Sequence, residues 1–191
     1  ELKVGDKAPD FKVISNDSMP MKFLRTYRGK IVLISSVPSL DTPVCDLETR
    51  RFNSESEKLS TDVEIITISM DLPFAQKRWC GQAGVKRVKT YSDYLKADFG
   101  KSYGVLIKEL RLLARAIFIV DRDGIVRYTQ LVKEVSNETN YEEALNALKP
   151  LISGNIESIY EKGFVNSLTG PVSRGDITTI EKHISALEDK D

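Results

Sequence analysis

The two cysteines, Cys45 and Cys80, are the residues of this chain best suited to chemistry. Cys45 closes the stretch SLDTPVC, between the apolar run KIVLISSVP and the charged stretch DLETRRFN. Thr42 is a good N-cap and Pro43 suits the first helical position, so a helix should begin here with Cys45 as its third residue. Unpaired backbone N–H groups and the positive end of the helix macrodipole welcome an anion at that place. A capping box would put glutamate there. This chain puts a sulfur there, and a thiolate supplies the negative charge.

A reactive thiolate needs an electrophile: a disulfide, an acyl carbon or a peroxide. Acyl chemistry usually recruits histidine as base. The one histidine, His183, lies far along the chain in a polar C-terminal segment and reads as an exposed helix residue. Thiol–disulfide exchange of the thioredoxin type wants a CxxC pair, which is absent. Peroxide reduction asks for a thiolate, donors that hold the two oxygens, and a second thiol to resolve the sulfenic acid. Cys80, in PFAQKRWCGQAG, is such a second thiol. The plain alternatives are two inert core thiols, or a structural bridge that would stabilise the fold by ~3–4 kcal/mol.

The bulk properties exclude several other classes. Two cysteines in 191 residues do not make a disulfide scaffold, and with one histidine a closed zinc site lacks ligands. Hydrophobic residues make up 41% and charged residues 29%, as in a globular domain. Basic and acidic residues balance at 28 each, so no global charge draws the chain to nucleic acid or to an anionic membrane. No apolar run approaches the ~20 residues of a bilayer span. The start, ELKVGDKAPDF, lacks a signal-peptide pattern, and a cytoplasmic location is expected.

Around the cysteines, alternating patterns predict the elements that must position them. KAPDFKVI reads as a strand, with a turn at SNDSMP and a short structured piece in MKFLRTYRGK. KIVLISSVP, between Gly29 and Pro38, reads as a buried strand, and VEIITISM as the next. TPVCDLETRRFNSESEKL should form a helix of about four turns, and PFAQKRWCGQAGV a short one from Pro73 to Gly81 or Gly84. VKTYSDYLKADFGKSYGV reads as a mixed connection. ARAIFIVDRDGIVRYTQLV reads as a hairpin turning at DRDG. NYEEALNALKPLI closes this part as an amphipathic helix with Ala144, Leu145 and Leu148 on one side. The architecture expected is α/β, a thioredoxin-like central mixed sheet flanked by helices. After Pro150 the pattern changes to helix, a loop at SLTGPVSRGD, and a last helix capped by Asp176 with the stripe Ile177, Ile180, Ile184 and Leu187.

PSLDTPVC has the form P-x-x-x-T-x-x-C that marks peroxiredoxins. The wider text, VPSLDTPVCDLETRRFN, then SMDLPFAQKRWCG, then YGVLIKELRLLARAIFIVD, resembles the thiol peroxidases, the atypical two-cysteine peroxiredoxins. The likeness runs from LKVGDKAPDF to about Leu151. It implies a peroxiredoxin domain over residues 1–151 and a helical extension of unknown role over 152–191. It implies that Cys45 is the peroxidatic cysteine and Cys80 the resolving one, joined in an intramolecular disulfide during turnover. Pro38 would shield the sulfur, Thr42 would hold peroxide and sulfur in line, and Arg115 would steady both. Hydrogen peroxide and organic hydroperoxides are the implied substrates and thioredoxin the implied reductant. The resemblance further implies a homodimer with no metal or bound cofactor, and neither nucleic acid nor membrane as partner.

Each role has a plainer counterpart. Thr42 can be a simple helix cap, and Arg115 the arginine of a surface ion pair. Trp79 reads as a packing residue rather than a docking site. LIKELRLLAR suits a substrate mouth, a dimer interface or ordinary packing. The chain also departs from the resemblance at two places. The family's further N-terminal hairpin is expected to be missing before LKVGDKAPDF, and the stretch FVNSLTGPVSRGDITTIEKHISAL faintly resembles a helical segment of Rossmann-type reductases without any nucleotide-binding glycine loop. The alternatives to a peroxidase are therefore a redox-sensing or binding module, and a folded but inactive chimera.

Overall fold

A computed structural model describes residues 2–17, 21–132 and 139–162. The chain divides into two units, Glu1–Leu148 and Lys149–Asp191. The first is built on a seven-stranded sheet. Its strands are β1 (Lys12–Ser15), β2 (Met21–Phe23), β3 (Ile31–Ser36), β4 (Val63–Ser69), β5 (Lys89–Ser92), β8 (Ala116–Val120) and β9 (Val126–Leu131). A small separate hairpin pairs β6 (Leu106–Ile107) with β7 (Leu112–Leu113). The helices are α1 (Pro43–Ser56), α2 (Pro73–Ala83), α3 (Asp98–Ser102) and α4 (Tyr141–Lys162).

The sheet order is β2-β1-β5-β4-β3-β8-β9. β3, β4 and β5 run parallel, with α1 and α2 as their crossovers, while β8 lies antiparallel to β3 and β9 to β8. A parallel pair needs such a crossover, and both faces of its strands are then covered. All six residues of β3 and all five of β8 are accordingly buried, as their apolar runs predict. The thioredoxin-like mixed sheet expected from the alternating pattern is the sheet observed.

One expectation is corrected. The stretch read as a mixed connection contains the strand β5, inserted between β4 and β1, and the short helix α3. β5 is only four residues long, and two of its residues are a threonine and a serine, so its pattern is weak; the neighbours on both sides fix it. Behind it an aromatic cluster of Phe11, Phe99, Tyr103 and Phe118 fills the core with edge-to-face contacts at centroid separations of 5.0 to 6.4 Å.

α4 starts on Tyr141, Ala144 and Leu148, which are buried one turn apart. Its backbone continues through Pro150 to Lys162. In the second unit the description covers only the end of α4. Asp176, His183 and the stripe from Ile177 to Leu187 lie outside the described residues. Among the described residues, no helix is long and apolar enough to cross a membrane.

Candidate active site

Topology brings the chemistry to one end of the central strands. β3 runs up to Ser36 and hands the chain to Val37, Pro38 and Ser39, then to α1. In the β3–β8 register Ser36 faces Ala116, so Arg115, one residue earlier, comes level with that loop. Two hydrogen bonds fix the backbone there: Ser36 Oγ donates to the carbonyl of Ala114 at 2.8 Å, and Val132 N–H donates to the carbonyl of Arg115 at 2.9 Å.

The loop itself is anchored by Asp71, just past β4. Its carboxylate accepts from Ser39 Oγ at 2.7 Å, from the N–H of Leu40 at 2.8 Å and from Ser69 Oγ at 2.8 Å. Such charge-assisted bonds are the stronger kind. They hold the approach to α1 in place.

Thr42 is the N-cap of α1 by backbone conformation, with Pro43 in the first turn and Cys45 in the third position, as expected. Its hydroxyl makes no cap bond. Instead it lies 2.7 Å from the Cys45 sulfur as donor, and 3.0 Å from the carbonyl of Ser39. Thr42 thus holds the N-cap position by its backbone while its hydroxyl lies between the Cys45 sulfur and the Ser39 carbonyl.

Cys45 is wholly buried, in a cluster with Val37, Leu40 and Trp79. Arg115 is buried too, with 1% of its surface exposed, which removes the surface ion pair as its explanation. Its guanidinium hydrogen-bonds the Cys45 sulfur and, through Nη1, Glu48 Oε2 at 2.8 Å. Burial works against the charge on Arg115, but Glu48 and Cys45 together outweigh it and raise its pKa.

Glu48 is the residue that the sequence reading missed. It is completely buried, and its other oxygen accepts from Ser35 Oγ at 2.7 Å. Burial pushes its carboxyl up, against the bonds from Ser35 and Arg115. Cys45, Glu48, Thr49, Phe52 and Ser56 form the buried face of α1, so a glutamate at helical spacing from the cysteine needed a cationic partner.

Pro38 is buried in the same loop, immediately before the anchored Ser39. Cys80 is held apart. It sits near the end of α2, touching the rim of the Cys45 cluster, and both cysteines are free thiols. Its sulfur accepts from Asn16 Nδ2 at 3.6 Å and lies 3.3 Å from Thr90 Oγ1. Burial pushes the Cys80 thiol up, and the bonds from Thr90 and Asn16 only partly offset that. Cys80 also lines a cavity of about 550 Å³ that includes Lys22, Lys77, Lys86 and Lys89.

α2 is capped by Gly84, whose φ of +66° is the left-handed conformation that favours glycine. Beyond it Asn53 of α1 accepts three consecutive backbone N–H groups, those of Lys86, Arg87 and Val88, at 3.1, 2.9 and 3.3 Å. Trp79 packs as expected, and its indole also donates to Asp46 at 3.0 Å.

A buried sulfur met by a hydroxyl and a guanidinium at the start of a helix is the equipment of a thiol-based oxidoreductase. The comparisons place it further. A family model described as Redoxin matches residues 3–145. The thiol peroxidase of Oceanobacillus iheyensis is 55% identical over 148 residues, covering 78% of this chain and 89% of that protein. The thiol peroxidase of Bacillus subtilis is 53% identical over 152 residues, covering 80% and 90%. Among solved structures, a peroxiredoxin-like protein from Aquifex aeolicus superposes with a TM-score of 0.74 at 43% identity, over 80% of this chain and 89% of that one. A thiol peroxidase from Chromobacterium violaceum shares the fold, with a TM-score of 0.70 at 21% identity over 82% and 89%.

The chain belongs to the Redoxin family and, within it, to the thiol peroxidases. It is a thiol-dependent peroxidase, a peroxiredoxin-type oxidoreductase with a peroxide as substrate and a thiol as reductant.

Proposed function

We propose that Cys45 is the thiol that meets the peroxide and that Cys80 resolves the product. The single observation that carries the assignment is the convergence of the Thr42 hydroxyl and the Arg115 guanidinium on the Cys45 sulfur. Donors so placed steady a negative sulfur before reaction and the oxygens that carry charge during it.

The Cys45 thiolate attacks the terminal oxygen of hydrogen peroxide or an organic hydroperoxide. The S–O bond forms as the O–O bond breaks, and the electron pair leaves with the second oxygen as water or alcohol once protonated. Arg115 lies on the path of that developing charge, and Glu48 holds the guanidinium in place. Thr42 aligns the entering oxygen, and Pro38 keeps water from the sulfur. Cys45 is left as a sulfenic acid. The thiol of Cys80 then attacks it and expels water, giving the Cys45–Cys80 disulfide. Thioredoxin, as a dithiol, reduces that disulfide by exchange. A cytoplasmic homodimer is the setting that the resemblance to bacterial thiol peroxidases favours. Residues 1–151 form the peroxiredoxin domain that carries the chemistry, and 152–191 a C-terminal extension to which no role is assigned.

The test is one equivalent of cumene hydroperoxide added to the reduced protein, followed by thiol titration and intact mass. Wild type should lose both thiols and two hydrogens. Cys80→Ser should stop with one added oxygen on Cys45, and Cys45→Ser should stay reduced. Survival of the wild-type thiols would overturn the assignment of Cys45.

A further inference from the structure

Trp79 and Cys80 are neighbours in α2 but serve different sides. Successive helical residues are turned by about 100°. Trp79 is buried toward α1, where its indole N–H donates to Asp46 Oδ1 at 3.0 Å. Cys80 is drawn toward Asn16, after β1, and Thr90, in β5. The other oxygen of Asp46 accepts from Arg50 Nε at 2.8 Å. Arg50 Nη1 in turn donates to the carbonyl of Ala83, the last residue of α2, at 2.8 Å, and its guanidinium lies 5.8 Å from the centre of the Trp79 ring. Asp46 directly follows Cys45. α1 thus grips α2 at two points, one before Cys80 and one after it.

That grip bears on how the two sulfurs, both free thiols here, come together. A disulfide needs its Cβ atoms about 4 Å apart with a defined torsion. Cys80 has to leave Asn16 and Thr90 for the sulfurs to bond, and that movement draws on the last turn of α2. Trp79 and Ala83 belong to that turn or border it, so the bonds that hold them oppose the movement.

We infer that the clasp formed by Asp46, Arg50 and Trp79 sets how fast Cys80 reaches a sulfenic acid on Cys45, and so how much peroxide the enzyme survives. The inference rests on the roles proposed above for the two cysteines. A Cys45 sulfenic acid has two fates. It condenses with the Cys80 thiol to a disulfide and water, with no further oxidant. Or it attacks a second hydroperoxide, takes its terminal oxygen, releases an alcohol and becomes a sulfinic acid. Only the second fate depends on peroxide concentration. The concentration at which the two fates are equal is therefore the ratio of their rate constants, and it rises in step with the resolving rate. Asp46, Arg50 and Trp79 make no hydrogen bond to the Cys45 sulfur, and Trp79 meets it only through the apolar cluster, so they are positioning residues and not catalytic ones.

The test uses Arg50→Met and Trp79→Phe in the full chain. Arg50→Met keeps a straight apolar stem and removes both the Asp46 pair and the bond to Ala83. Trp79→Phe keeps an aromatic ring and removes the N–H. In Arg50→Met the rate of the first peroxide event should stay within about twofold of wild type. The peroxide concentration that gives equal disulfide and sulfinic acid by intact mass should rise about three- to tenfold in Arg50→Met, the effect of one or two hydrogen bonds on a barrier. In Trp79→Phe the rise should be smaller. Arg50→Lys, which restores a charge opposite Asp46, should fall between wild type and Arg50→Met. A merely structural role would lower the melting temperature and leave this ratio where it was. An unchanged or lowered ratio in folded Arg50→Met, with the disulfide still forming in wild type, overturns the inference; should that variant not fold, Trp79→Phe decides in the same way. If the wild-type thiols survive peroxide altogether, it is the assignment of Cys45 that fails, and the clasp's role falls with it.

Discussion

The two thiols of this protein are the same side chain in opposite settings. Cys45 stands in the first turn of α1, wholly buried, with a hydroxyl and a guanidinium aimed at its sulfur. Cys80 stands near the C-terminal end of α2, half-buried, with an amide and a second hydroxyl at its sulfur, and its pKa is raised by burial. A helix start favours negative sulfur and a helix end opposes it. Two donors converge on one sulfur, while burial favours the protonated thiol in the other. Burial alone does not make the difference, since the more buried thiol is the better equipped. What separates them is the donors that accompany the burial.

The largest break in this comparison is Cys45→Ser, which should abolish peroxide turnover. Cys80→Ser should keep the first oxidation and lose only the disulfide, as intact mass reads. Next comes Arg115→Met. It removes a donor to the sulfur and strands Glu48 as a buried carboxyl, so the peroxide step should slow by about 10²–10³-fold and the fold should lose about 3–5 kcal/mol by urea denaturation. Combining Arg115→Met with Glu48→Gln should recover most of the stability and none of the rate. Thr42→Val should slow the peroxide step by about ten- to a hundredfold. Its stability cost should fall below the ~1 kcal/mol of an ordinary cap loss, because the hydroxyl makes no cap bond. Thr42→Ser should restore the rate.

The smallest effect concerns Cys80 alone. Its pKa lies above the ordinary 9.0, chiefly through burial. In Cys45→Ser, alkylation of Cys80 by iodoacetamide should therefore keep rising as pH passes 9.0 and not level off there. A raised thiol pKa in the fold favours the protonated form, so this group's contribution is whole below the unfolded value and is lost as pH climbs through the folded one. Thr90→Val removes one offsetting bond and should slow the alkylation at a given pH a few-fold further.

Much of this was legible in the sequence because it is local. The cap and proline at the head of α1, the β-branched runs of β3 and β4, and the DRDG turn of the β8–β9 hairpin are written in neighbouring residues. β5 was not, since KTYS carries little pattern and takes its place from β4 and β1. Glu48 was not, because a charge on a helix ordinarily reads as solvated. Only the register of β8 against β3 brings Arg115 to it. The donor role of Thr42 lay between the two: its position was plain, while the direction of its hydroxyl depended on where Cys45 and Ser39 came to lie.

The three amides gathered by Asn53 have a mechanical consequence. They stake the chain at Lys86 to Val88, just before it enters β5. Any movement of Cys80 has to be absorbed upstream of that stake, where Gly81 has open space around it and Gly84 already occupies a left-handed turn. β5 lies inside the sheet, so unzipping it would bare the pairing edges of both β4 and β1 to other chains. On the resolving role proposed for Cys80, the stake would work as a strain relief between a moving joint and the sheet, letting the joint flex without opening the protein to aggregation.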